Sequence, residues 1–238
     1  MDAVLDIGNS RVKWGVISEN QWLAIETARH EDLLLVLERL QKEFSVTRLM
    51  YANVSQLKAV ELFQRFESIQ SLEFKHTLHS PINLNYRTPR TLGKDRLLGI
   101  IQSFELFPEE NALVIDAGTC ITYDLRIGKR YEGGRISPGL QMRLQAMNHF
   151  TGKLPLLHIH ELPAQQGVDT DTSIKAGAFW GMVAEIEGNI AWYTKEYGPL
   201  KVIATGGDWS LFAGALKNSI FADPNLILKG LKTSLKYN

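Results

Sequence analysis

Apolar positions along the chain follow two periods, one for strands and one for helices. Residues 1–17 read as two strands joined by the turn Gly8-Asn9-Ser10. In residues 30–44 the spacing changes: Leu33, Leu34, Leu37, Leu40 and Phe44 share a face with charges between them, which predicts an amphipathic helix. Residues 47–53 resemble another strand, and 55–66 a second helix with Ser55 as its N-cap. In residues 77–96, Pro81, Asn83, Asn85, Pro89 and Gly93 break the pattern, and a helix is expected over 97–106. The apolar run Ala112 to Ile115 predicts a buried strand, Asp116 to Thr119 a turn, and Ile121 to Leu125 a returning strand. Residues 133–139 read as a glycine-rich connection into a helix from 140 to about 148, and 152–172 as a loop. A long helix is expected over 173–197, then a short buried strand, 201–204, ending in Thr205-Gly206-Gly207-Asp208. A helix over 209–216 follows, and 223–238 read as a strand and a short tail. Strands alternating with helices predict an α/β architecture.

One pattern occurs twice. Val4-Leu5-Asp6-Ile7-Gly8-Asn9-Ser10 aligns without gaps on Val114-Ile115-Asp116-Ala117-Gly118-Thr119-Cys120. Each copy is an apolar strand ending in Asp-x-Gly, followed by hydrogen-bonding side chains. Such a hairpin mouth can hold a cation and approach phosphate oxygens: Gly118 lets backbone come close, Thr119 and Thr122 offer hydroxyls, and Asp116 offers charge. The repeat suggests a duplicated fold with a nucleotide phosphate chain held between the halves. Arg11 and Lys13 share a strand face, which reads either as a solvated face or as cations reaching phosphate.

Composition narrows the class. The 238 residues fit one large domain or two of ordinary size. Twenty-six acidic and 26 basic residues give zero net charge, which argues against a large nucleic-acid footprint. The one cysteine, Cys120, cannot form an intrachain disulfide and fits a reducing compartment. No secretory signal and no apolar run long enough for a bilayer is visible, so a soluble, cytoplasmic protein without membrane contact is expected.

Candidate chemistry sits in the irregular stretch before residue 97. Asp95 reads either as a helix cap or as a carboxylate poised to take a proton from a substrate hydroxyl, with Arg96 orienting that substrate. Gly206-Gly207 is a place for a flat nucleoside to meet bare backbone. The pair His158 and His160 lacks further ligand spacing and reads as surface. Ala176, Gly177, Gly181, Ala184 and Gly188 give the long helix a small-residue face suited to close packing, within the chain or between subunits. No G-x-x-x-x-G-K-[ST] motif occurs, which argues against a P-loop enzyme.

In order, D-I-G-N-S at 6–10, the stretch 86–96 with G-K-D-R, D-A-G-T at 116–119, G-G-R-I-S-P-G and T-G-G-D at 205–208 resemble the type III pantothenate kinases of the acetate kinase–Hsp70–actin superfamily. The resemblance implies a duplicated actin/Hsp70-like (ribonuclease H-like) nucleotide-binding fold, with similar halves at 1–110 and 111–238. It implies phosphorylation of pantothenate by ATP, the first step of coenzyme A synthesis. Asp6, Ile7, Gly8, Asn9, Ser10, Arg11, Val12 and Lys13 would form the first phosphate-binding hairpin, with Asp6 near Mg²⁺. Asp95 would be the general base; Tyr86, Gly93, Lys94, Asp95, Arg96 and Thr170 would border pantothenate. Asp116 would help hold a monovalent cation (K⁺ or NH₄⁺), while Thr119, Gly206 and Gly207 would meet ATP. A homodimer is implied. Ser10 stands where the family usually has threonine, Cys120 where alanine is common, and Asp169-Thr170 where Asn-Thr is usual, which leaves Thr170 and Thr172 both open as the contact. Two alternatives are a non-catalytic transcription accessory factor of the same family, and an aspartic protease. The second is disfavoured by Ile7 and Ala117 between Asp and Gly.

Overall fold

A computed structural model describes residues 1–9, 11–217 and 219–238; Ser10, expected among the ATP contacts, lies outside them. The chain divides into two units, Met1–Leu106 with Asn225–Asn238, and Phe107–Pro224. The first unit begins with β1 (Asp2–Ile7), β2 (Val12–Ser18), β3 (Gln21–Ala28), α1 (Leu33–Lys42) and β4 (Arg48–Asn53). It continues with α2 (Ala59–Phe63), β5 (Gln70–Glu73), β6 (Asn83–Leu84) and α3 (Lys94–Leu106). The second unit holds β7 (Ala112–Ala117), β8 (Cys120–Ile127), β9 (Arg130–Pro138), α4 (Leu140–Phe150) and α5 (Thr170–Tyr197). It ends with β10 (Lys201–Thr205), α6 (Trp209–Phe212) and β11 (Phe221–Ala222), after which α7 (Leu226–Lys236) returns to the first unit.

Both units are built on the same plan. In the first, the strand order is β3-β2-β1-β4-β5, with an antiparallel meander β1–β3 and parallel β4 and β5. In the second, the corresponding run is β9-β8-β7-β10-β11, again with an antiparallel meander and two parallel strands. The two Asp-x-Gly turns therefore occupy equivalent places, each at the end of a central strand.

Burial explains the central strands. Ala3, Val4, Leu5 and Ile7 of β1 are fully buried, so both faces of β1 are covered. Leu33, Val36, Leu37 and Leu40 of α1 share a core with Ala3, Leu5, Ile7 and Trp14. Helix α7 packs against β1, β4 and α3, with the buried Thr233 hydroxyl donating to Gln102 Oε1 at 2.9 Å. In the second unit Ile115, Ala117 and Tyr123 join Phe179, Met182, Ile186 and Phe212 in one core.

Several expectations change. Residues 130–138 form a strand where a glycine-rich connection is expected, because backbone pairing with β8 needs no apolar alternation. The expected strand after Asp223 is instead α7: Leu226, Leu231 and Leu235 recur at helical spacing and are buried. The expected helices over 55–66 and 209–216 shorten to α2 and α6. The edge strand β3, half exposed along its length, is an addition.

Candidate active site

In the first unit, Asp6 stands at the end of β1 directly across from Lys13 of β2. The turn between these strands is closed by Gly8 N–H donating to Arg11 O at 3.0 Å. His30 Nε2 lies 2.8 Å from Gly8 O and ties the turn to the segment ahead of α1. Ile7 and Val12 are fully buried, backbone included, whereas Asn9 and Arg11 are exposed.

Asp95 lies in the first turn of α3 and its Oδ1 accepts from Arg96 N–H at 2.8 Å. A side chain at Gly93 would overlap that same Oδ1, so glycine leaves the room the carboxylate occupies. Asp6 and Asp95 are close enough to interact. Burial, and then the negative charge of Asp95, push the Asp6 carboxyl up to about 6, against the opposing pull of Lys13. Arg96 is buried and Tyr86 half-buried. The Lys94 ammonium, expected at the substrate, donates to Glu73 Oε1 at 2.6 Å and to Asn53 O at 3.3 Å.

In the second unit, three stretches meet at the β7–β8 turn. Asp116 pairs with Thr122 across the hairpin and with Thr205 of β10 on its other side. Gly139 N–H donates to Thr119 O at 3.1 Å, which brings the entry of α4 onto the turn. Gly206, at φ +102°, packs on Ala117 so tightly that a Cβ would overlap its backbone. Asp208 N–H donates to Ala117 O at 3.0 Å, and burial raises the Asp208 carboxyl. Gly207 and Thr119 are exposed at this surface. The Thr122 hydroxyl is buried with no hydrogen-bond partner among the described residues. Farther along the unit, Thr172 Oγ1 is held in a reciprocal cap with Asp169 at the start of α5, whereas Thr170 is exposed.

Each unit carries a hairpin ending in a carboxylate, and the first unit adds a second carboxylate at a helix start; such groups suit the cations that accompany phosphates. A family model described as type III pantothenate kinase matches residues 3–191. The chain belongs to that family. Relatives named type III pantothenate kinase from Bacteroides fragilis and Cytophaga hutchinsonii are 40% and 39% identical over 242 and 243 residues. Those matches cover 100% of this chain and 98% and 100% of the relatives. Among solved structures, a Campylobacter jejuni protein assigned to the Baf family of transcriptional activators superposes with a TM-score of 0.62 at 20% identity, covering 98% of this chain and 97% of that one. The ROK hexokinase of Thermus thermophilus does so at 0.51 and 13%, covering 99% of each. At those identities the likeness shows the fold alone, the actin/Hsp70-like plan of two similar halves. Family membership makes the protein an enzyme, a pantothenate kinase, and does not favour the accessory-factor alternative. Its activity implies ATP with a divalent metal.

The donor set of the kinase fits such a metal. Among the described residues no group of three His, Cys, Asp or Glu could hold an ion by itself. Asp6, a carboxylate held above its ordinary value beside Asp95, suits an ion that takes its other ligands from phosphates and water. The parts that sequence reasoning missed are Glu73, His30 and His76. None sits in a motif, and each acts on a backbone or side chain 16 to 22 residues away.

Proposed function

We propose that the kinase transfers the γ-phosphoryl group of ATP to the 4′-hydroxyl of pantothenate with Asp95 as the general base. The observation that carries this reading is the Asp95 carboxylate at a helix start that glycine leaves open, in the same unit as Asp6 at a phosphate-type turn. The hydroxyl oxygen forms the new bond to phosphorus while the bond from phosphorus to the leaving ADP oxygen breaks. The hydroxyl proton passes to Asp95. Such transfer needs alignment and charge neutralisation more than covalent chemistry. Mg²⁺ would supply part of that neutralisation, held by Asp6 directly or through water. Gly8, Asn9, Ser10, Arg11 and Lys13 line the phosphate side in this reading, with the fully buried Ile7 and Val12 supporting the hairpin behind them. Thr119, Gly206 and Gly207 receive the rest of ATP, with the adenosine against the open backbone of Gly207.

Tyr86, Gly93, Arg96 and Thr170 border pantothenate; Thr170 is preferred over Thr172 because the latter's hydroxyl is engaged in the helix cap. Asp116 holds a monovalent cation, and the unpartnered Thr122 hydroxyl opposite it supports an added oxygen ligand there. Zero net charge gives no support for a nucleic-acid partner, and no described helix is long and apolar enough to cross a membrane. The reading places the enzyme in the cytoplasm as a homodimer.

ADP release coupled to pantothenate, with and without K⁺ or NH₄⁺, tests the assignment. Activity should require the cation, and Asp95→Asn should cut kcat by about 10²–10⁴ while ATP still binds. Full turnover in buffer free of both cations would remove the role given to Asp116. Near-native kcat in folded Asp95→Asn would make that residue a helix cap only.

A further inference from the structure

Lysine is a poor choice for the first turn of a helix, where the backbone dipole favours negative charge. Lys94 opens α3 all the same, one residue ahead of Asp95. Its ammonium is held on Glu73 Oε1 at 2.6 Å and on Asn53 O at 3.3 Å, and the two side chains are only 19% and 27% exposed. Shielding of that degree separates the pair from surface ion pairs, whose contribution is small. What it joins is specific. Glu73 ends β5 and pairs with Tyr51 of β4; Asn53 ends β4 and pairs with Ile7, the residue after Asp6. Val54 N–H donates to Ile7 O at 3.1 Å and continues that tie. On the other side of Gly93, His76 Nε2 lies 2.7 Å from Leu92 O.

We propose that Glu73 and Lys94 form a strut that fixes the Asp95 carboxylate relative to Asp6, making Lys94 a positioning residue rather than a contact for pantothenate. The proposal rests on Asp95 as the base. With its ammonium bonded at the ends of β5 and β4, Lys94 links the start of α3 to the end of β1, the central strand that carries Asp6. Misplacement of a base by about 1 Å costs up to about 100-fold in rate. The strut therefore acts on kcat.

The test compares kcat and both KM values for Lys94→Met, Glu73→Gln and the charge swap Glu73→Lys with Lys94→Glu, beside Asp95→Asn. Each single variant should lower kcat about 10- to 100-fold, with KM for pantothenate changing less than about twofold. The swap restores the ion pair but not the bond to Asn53 O, so it should recover part of the loss, which a lysine that binds substrate would not permit. Glu73→Gln keeps shape and an acceptor, so it reads the pair even where Lys94→Met fails to fold; melting by circular dichroism monitors this. A raised KM for pantothenate at unchanged kcat would make Lys94 a substrate contact and overturn the strut. Unchanged kinetics, or a folded swap no better than the singles, would overturn it too. Those failures leave the base assignment standing if Asp95→Asn is inactive, whereas an active Asp95→Asn removes both.

Discussion

A carboxylate buried beside another carboxylate is kept at a cost to the fold. The Asp6 carboxyl has an ordinary value of 3.8 and is pushed up to about 6 in the folded chain, by burial first and by Asp95 second. Between those values the folded state binds more protons than the unfolded one. Stability therefore falls as pH rises from about 4 to about 6, and stays at the lower level above. Asp6→Asn should then stabilise the protein without nucleotide by about 1–3 kcal/mol near pH 7.5. The gain should shrink toward zero near pH 4, and activity should be lost. Urea unfolding at both pH values reads the difference; a variant destabilised equally at each would show that Asp6 is held by favourable contacts instead. The same residue is legible in the sequence, because a repeated Asp-x-Gly after an apolar run marks both hairpins.

At the scale of elements, the turn after β10 separates two neighbouring glycines by their surroundings. Gly206, at φ +102° and against the Ala117 backbone, has no room for a side chain, whereas nothing lies within 4 Å of a Cβ at Gly207. Gly206→Ala should cost about 1–3 kcal/mol through strain and overlap, and ATP affinity should fall with it. Gly207→Ala should melt like the unaltered protein and weaken only nucleotide binding. Thermal melting with nucleotide titration checks both; equal stability of the two variants would contradict the packing of Gly206. Central strands such as β7 are readable because both faces are apolar. β9 is not, since Gly133, Gly134 and Pro138 mask a strand held by its pairing with β8. α7 is ambiguous for another reason: Leu226-Ile227-Leu228 alone suits a strand as well as a helix, and packing on α3 and the sheet decides. The link from Glu73 to Lys94 spans 21 residues and leaves no periodic trace.

For the molecule as a whole, the small-residue face of α5 has an outcome the sequence leaves open. Ala176 is buried, but Gly177, Gly181, Ala184 and Gly188 are exposed, and a Cβ at each of the three glycines would meet nothing within 4 Å. Gly181→Leu therefore has space in the single chain and should fold normally, so it probes association rather than packing. A dimer seated on this face should dissociate toward 26.8 kDa in that variant, with loss of activity, when followed by light scattering. An active 26.8 kDa form of the unaltered protein would end the dimer assignment; a dimeric, active variant would move the seam elsewhere. The path of α7 has a consequence of a different kind, for synthesis. The unit that contains Met1–Leu106 also needs Asn225–Asn238, while Phe107–Pro224 is continuous. As the chain leaves the ribosome, β1 and β4 wait with one face uncovered until residues 226–236 emerge. The order of completion is thus the reverse of the usual N-to-C progression of nascent domains: the middle of the chain can finish first, and the unit that starts before it closes only once residues 226–236 have emerged.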